Sequence, residues 1–380
     1  MTDPIPTHMA AVLLTGYGGL DKLEYREDVP VPRPEPGEVL IQVRAAGINN
    51  TDINTRSGWY NQAVKTGTDA AGAQSGFAVQ HAGSGDWGSD LTFPRIQGAD
   101  VAGQIVAVGA DVNPQRIGER VICDPYFHAA GDTASLESTG FLGAHRDGGF
   151  AQFTTVPNAN AITISHDMPL SDAQLATVPC SGGTAMNMML MAGLRAGDQV
   201  LVSGASGGVG SFLVQIARAA GATVVAICGA DKCDAVLRLG AHAVVDRAVN
   251  DLPNAIKAAM GGAPLTLFAD VVGADLFSPC VSLLATGGRY VTAGAIAGPM
   301  VALDLRTLYL KSLSLFGSSV YRRDALPALL VLLQRGAVVP AVFDVSPLVQ
   351  IRTAQTEFLA KHHIGSKVLQ PPSSKSQGDP

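Results

Sequence analysis

Apolar and polar positions follow one spacing in the first part of the chain and another in the rest. Residues 9–14, 39–45, 96–109, 118–124 and 148–156 are short apolar or alternating runs with the spacing of strands. From Ser171 the pattern changes. Ser171 and Gln174 can cap a helix start, and residues 182–192 carry apolar side chains at helical spacing. Val200, Leu201 and Val202 then form a run suited to a strand buried on both faces. Phe212, Leu213, Ile216 and Ala217 recur at helical spacing, and residues 223–227 supply a second apolar strand. The alternation continues through strands at 243–245, 265–272, 287–294 and 313–317 and a helix at 324–335. A β-rich part followed by alternating strands and helices predicts an α/β protein whose second part is a doubly wound parallel sheet.

Chemistry is suggested first by the turn that joins strand 200–202 to its helix. Gly204, Ala205, Ser206, Gly207, Gly208, Val209 and Gly210 crowd a bend where larger side chains would block close backbone approach. A helix starting there aims unpaired N–H groups and its positive dipole end at the turn, which suits a pyrophosphate. Glycine-rich turns often bind nothing. Here the strand before, the helix after and the next strand all stand where a dinucleotide fingerprint requires them. That second strand ends in Ile227, Cys228, Gly229 and Ala230, without the carboxylate that NAD sites place roughly 20 residues past the glycines. Lys232 follows and can meet a 2′-phosphate, which favours NADPH. Asp231 beside it weakens the argument, and a solvated lysine in the first turn of the next helix is the plain alternative.

Between the predicted elements lie three irregular stretches. Residues 29–37 are too proline-rich for regular structure. Residues 61–93 are dominated by Gly, Ala, Gln, Ser and Asp, with scattered Phe77, His81 and Trp87, and residues 126–147 read as another loop. The four methionines of residues 182–192 suit core packing better than a cofactor box. The tail 371–380 is expected to be disordered.

Composition narrows the class further. A length of 380 residues suits two domains, and 47% hydrophobic with 15% charged residues is a globular balance. The net charge of −6 gives no reason to expect a nucleic-acid or anionic-membrane partner. Five cysteines without paired spacing fit a reducing compartment. No signal-peptide pattern opens the chain and no run reaches membrane-spanning length, so the cytoplasm is expected.

A series of short motifs then carries a resemblance. Residues 47–52 (Gly-Ile-Asn-Asn-Thr-Asp), 98–103 (Gly-Ala-Asp-Val-Ala-Gly), 147–151 (Asp-Gly-Gly-Phe-Ala), 205–210 (Ala-Ser-Gly-Gly-Val-Gly), 270–273 (Asp-Val-Val-Gly) and 365–369 (Gly-Ser-Lys-Val-Leu) stand in one order. The chain resembles the medium-chain dehydrogenase/reductase superfamily, in its zinc-independent quinone oxidoreductase-like branch. The resemblance implies a GroES-like β-rich catalytic domain over residues 1–170, with an insertion at 61–93. It further implies a Rossmann nucleotide-binding domain over 171–317 and a return to the catalytic domain over 318–370. Such relatives are commonly dimers or tetramers, so a homodimer or homotetramer is expected.

By the same resemblance, zinc-dependent relatives carry Cys at the position of Asn49 and His at that of Ala99. Neither an amide nor a methyl group replaces those ligands. Cys180 stands at a third ligand position and Asp100 beside the lost histidine, yet one thiol without partners reads as a small buried hydrophobe. No metal is expected. Without a Lewis acid, an enone or quinone is an easier hydride acceptor than a simple carbonyl, since hydrogen bonds can stabilise the developing enolate. An alcohol or aldehyde dehydrogenase with an atypical metal site, and a nucleotide-binding protein with little turnover, are the alternatives. Asn49 corresponds to an asparagine near the nicotinamide, and Thr51 to a hydroxyl that begins a proton relay. Asn54 replaces a tyrosine of many quinone reductase-like relatives, which leaves Tyr60 as the nearest phenol. Thr184, Val272, Gly294, Ala295, Ile296, Gly317 and Lys367 fall at family positions close to the cofactor. His128 and His145 are outside candidates. The 61–93 insertion is either a lid over the substrate entrance or a surface excursion.

Overall fold

The computed structural model describes residues 4–68, 70–77, 91–128 and 139–373, with Ala70 described by its backbone only. Its second half is a six-stranded sheet, all parallel. The order across it is Ala243–Asp246, Thr223–Cys228, Gln199–Val202, Leu265–Asp270, Leu284–Thr292 and Ser314–Gly317. The first three strands run outward in one direction and the last three in the other, so the order reverses between Gln199–Val202 and Leu265–Asp270. A ligand crevice opens at such a point. Val200, Leu201 and Val202 have no exposed surface, as an apolar run covered on both faces should. Each contributes about 2 kcal/mol through burial. The helix Gly208–Ala219 covers one face through Phe212, Leu213, Ile216 and Ala217.

The first half is β-rich. Glu38–Ile48 is its longest strand, and it pairs antiparallel with Asp100–Val108, with Phe153–Pro157 and with Ser366–Gln370. The last partner comes from the far end of the chain, and Val342–Pro347 pairs beside it. A smaller sheet of His8–Leu14, Leu23–Pro30 and Arg95–Ile96 packs alongside. The GroES-like and Rossmann-like parts expected from the sequence are both present.

Several expectations need correction. The stretch 126–147 contains a short hairpin, Tyr126–His128 against Thr139–Phe141, because Tyr126 and Phe141 pack their rings together at 5.1 Å. The stretch 61–93 includes a helix, Ala70–Ser75. Arg56, with no exposed surface, donates from its guanidinium to Gly18 O (2.8 Å) and Ala73 O (2.7 Å), and to Gln355 Oε1 (3.1 Å). That side chain ties the helix to the loop at Gly18 and to Gln355. His81, Trp87 and most of the 371–380 tail lie outside the described residues, whereas Phe77 is described and donates its N–H to Ser57 O (2.9 Å). No described helix is long and apolar enough to cross a membrane.

Candidate functional site

The glycine turn stands at the carboxyl end of Gln199–Val202, where the sheet order reverses. Gly204 has φ +58°, and a Cβ added there would meet Val271 at 2.9 Å. Glycine is the residue for which both demands are harmless. The helix starts at Gly208, and nothing but Gly204 O at 3.5 Å would meet a Cβ on Gly207. Backbone N–H groups at a helix start with open space before them suit an anion. A Cβ on Gly208, by contrast, would lie 2.7 Å from Ser181 Oγ and 3.0 Å from Ser366 Oγ. Gly365 donates its N–H to Ser206 O at 2.8 Å, so the returning C-terminal segment lies directly on the turn. Ala205 is fully buried, Ser206 nearly so, and Val209 and Gly210 begin the helix. Thr184 sits in the first turn of the neighbouring helix Gly183–Met191.

Cys228 and Gly229 close the second strand as expected. Lys232 is not the solvated lysine weighed above: it is 7% exposed, and its ammonium donates to the carbonyl of Lys361. Burial lowers its pKa. Arg247 lies near it, donating its N–H to Cys228 O at 2.8 Å.

The second cluster is built around Asn49, which precedes the helix Asn50–Ser57. Its backbone N–H donates to Asp52 Oδ2 at 2.7 Å and its side-chain amide to Asp100 Oδ2 at 2.7 Å. Ser181 Oγ donates to Asn49 Oδ1 at 2.9 Å, and Asp100 Oδ1 accepts the Cys180 N–H at 2.7 Å. Asn49, Asp52, Asp100 and Ser181 are all buried. Desolvation pushes both carboxyls up to about 7, against the donors they accept. Burial, with Asp100 and Asp52 nearby, drives the Cys180 thiol well above its usual value. This donor set does not fit a zinc ion, which takes three or four converging deprotonated ligands, whereas here the one thiol is held protonated and both Asp100 oxygens are occupied by donors. Among the described residues no group of three or more His, Cys, Asp or Glu side chains converges as a metal site.

The remaining expected residues divide. Tyr60 Oη donates to Thr51 Oγ1 at 3.2 Å, so the phenol and the hydroxyl form a pair. Asn54 is buried and its Oδ1 accepts from Thr68 Oγ1 at 2.9 Å. Thr68 in turn donates its N–H to Ile296 O at 2.9 Å, and a Cβ on Gly67 would meet that carbonyl at 2.5 Å. The segment after Tyr60 thus rests on the loop of Gly294, Ala295 and Ile296. Val272 is fixed by Asp270, whose carboxylate accepts its N–H at 2.8 Å. Gly317 is exposed at the end of the last strand. Lys367 has its backbone in the strand beside Ile48, and its ammonium pairs with Asp344 (2.7 Å) and Glu357. His128 stacks on Tyr126 with its ring centroid 6.3 Å away, and His145 accepts the Phe141 N–H at its Nδ1 (3.0 Å), which leaves His145 with a local role. Sequence reasoning did not single out Ser181 or Thr68, whose bonds to Asn49 and to the Ile296 carbonyl join distant parts of the chain that no spacing marks.

Two family models cover most of the chain: an alcohol dehydrogenase GroES-like domain over residues 35–166 and a zinc-binding dehydrogenase over 208–335. A solved structure from Sinorhizobium meliloti 1021, named as a candidate alcohol dehydrogenase, is 46% identical over 97% of this chain and 98% of that one, with a TM-score of 0.87. The chain belongs to the medium-chain dehydrogenase/reductase superfamily. An NAD-dependent alcohol dehydrogenase is 29% identical over 95% of this chain and 99% of its own, with a TM-score of 0.82. A cobalt- and zinc-bound thermostable alcohol dehydrogenase from Pyrobaculum aerophilum is 28% identical over 96% of this chain and all of its own, with a TM-score of 0.78. These superfamily members carry alcohol dehydrogenase names, and they do not single out the quinone oxidoreductase-like branch expected from the sequence.

Proposed function

We propose that this member of the superfamily is a zinc-independent reductase that binds NADPH and transfers its hydride to an enone or quinone. The observation that carries the reading is the Asn49–Asp100 hydrogen bond: the amide and carboxylate satisfy each other where zinc-dependent relatives hold a metal. The glycine turn fits a dinucleotide, since its helix start offers unpaired N–H groups in front of open space at Gly207. When bound, the nicotinamide supplies the hydride. This chain's residues do the rest. Thr51 faces the developing enolate or alkoxide oxygen and passes it a proton, and Tyr60 replaces that proton through its bond to Thr51 Oγ1. Asn49, locked from both sides by Asp100 and Ser181, fixes the floor on which the acceptor lies. The Thr68–Ile296 contact excludes water from one edge. A cytoplasmic homodimer or homotetramer remains our expectation for its assembly.

A second reading is an alcohol or aldehyde dehydrogenase with an atypical metal site. The names of the similar structures favour it over the first; the donor set around Cys180 speaks against it. One experiment separates them. Oxidation of NADPH and NADH is followed against a quinone, a short enone and a simple aldehyde, before and after chelator, with metal content measured on the purified protein. The first reading expects turnover of the enone or quinone, unaffected by chelator. Aldehyde turnover alone, lost with chelator and restored by zinc, would replace it with the second.

A further inference from the structure

Two lysines from different parts of the chain meet past the end of the second strand. Lys232 follows the end of the second strand, and Lys361 follows the helix Ile351–Leu359. The ammonium of Lys232 donates to the Lys361 carbonyl. The ammonium of Lys361 donates to Asn50 Oδ1 at 2.9 Å and lies 3.9 Å from the centre of the Phe358 ring. Neither lysine forms an ion pair with a described carboxylate. Lys367, a few residues on, shows the contrast, because it is held by Asp344 and Glu357. Lys232 is buried and Lys361 half-buried, and charged side chains are seldom taken out of water unless something neutralises them. Burial and the nearby Lys232 push the Lys361 ammonium down to about 7.

The backbone adds a second argument. Lys361 has φ +54° just after the helix cap at Ala360, a place where glycine is the easy choice. A left-handed backbone is unfavourable for a lysine, so its side chain needs another justification. Its location supplies one. Residues 361–365 run from Lys232, at the strand end, to Gly365, which bonds Ser206 on the glycine turn. Anything lying along that path passes between the place for a ribose and the place for a pyrophosphate.

We propose that Lys361 binds a phosphate of the dinucleotide, so that the C-terminal segment brings to the nucleotide a cation that the ligand itself neutralises. The proposal rests on the dinucleotide reading above. It carries a proton with it. In the free protein the groups around Lys361 are Lys232, with Asp231 and Arg247 beyond it, then His362 and His363 on its own segment, and Glu357, which Lys367 already holds. No anion among them faces Lys361, so the neutral amine gains ground near pH 7 and above. A bound phosphate reverses this and draws a proton from solution.

The test is titration calorimetry of NADPH and NADH at pH 8 in two buffers of different ionisation enthalpy. We expect proton uptake by the wild type. Lys361→Met keeps the stem on Phe358, and it should bind nucleotide about tenfold or more weakly, with no uptake. Its melting temperature should be unchanged or higher, since a partly buried ammonium without a carboxylate partner has been removed. Lys361→Arg should retain affinity but lose the uptake, because a guanidinium stays charged; it carries the test if the Met variant fails to fold. Equal weakening for both nucleotides identifies the pyrophosphate, and weakening of NADPH alone identifies the 2′-phosphate. A Met variant that binds both like the wild type overturns the proposal while leaving the dinucleotide reading intact. A wild type that binds neither nucleotide overturns both.

Discussion

The glycine turn and the Asn49 cluster lie on either side of Gly208 and are organised by opposite means. The turn works through what is missing: side chains are absent so that backbone can approach backbone. The cluster works through what is present, since Asn49, Asp100, Ser181 and Cys180 N–H each satisfy another group in the set. Ser181 belongs to both, with its hydroxyl on Asn49 and its Oγ in the space that a Cβ on Gly208 would need. The difference teaches where each is vulnerable. An added atom damages the turn, whereas a misplaced donor damages the cluster.

The strongest way to break the comparison is Gly210→Ala. Its Cβ would lie 2.1 Å from Gly204 O, a backbone atom that cannot swing aside. We expect a loss of about 3 kcal/mol in denaturant melts together with loss of nucleotide binding. Unchanged stability would mean that the turn has slack the structure does not show. Next is Asp100→Asn. Both carboxylate oxygens accept from donors, so an amide must turn an N–H₂ group toward one of them. The cost should be about 2 kcal/mol.

The same variant sharpens the pH behaviour. Asp52 and Asp100 are pushed to about 7 in the folded protein, above the ordinary carboxyl value of about 4. Between those values the folded state holds protons that the unfolded state releases. Stability should therefore fall as pH rises from about 4 to 7. Asp100→Asn should flatten that slope, and a wild-type stability that rises across the window would refute the assignment.

Smallest in stability but direct in chemistry is Tyr60→Phe, which keeps the ring against Trp59 and removes the phenol. We expect kcat to fall about tenfold or more with the melting temperature unchanged. Thr51→Val should act similarly, and the double variant no more than either alone if the two hydroxyls form one relay.

The two regions were also unequally legible in the sequence. Val200 to Gly210 reads correctly as strand, turn and helix because every cue is local: an apolar run, crowded glycines, then helical spacing. Asn49 was singled out through its neighbours in the 47–52 motif, yet the partners of its side chain stand 51 and 132 positions away. Lys232 and Lys367 illustrate the same limit. A charge can be read from a sequence, but not the group that already holds it. The pairing of Tyr126–His128 with Thr139–Phe141 escaped notice because both strands are only three residues long and lie within a stretch that reads as loop.

The pairing of Ser366–Gln370 with Glu38–Ile48 has a consequence for how the molecule is made. During synthesis the first sheet must wait for residues more than 300 positions downstream before that edge is covered. The intervening parallel sheet can collapse as a unit in the meantime. Until the returning strand arrives, the end of that strand at Ala46, Gly47 and Ile48 keeps unpaired N–H and C=O groups on an apolar edge, the kind of surface that invites pairing with other chains. Assembly of the two halves is thus sequential, and its slow and hazardous stage is the last one.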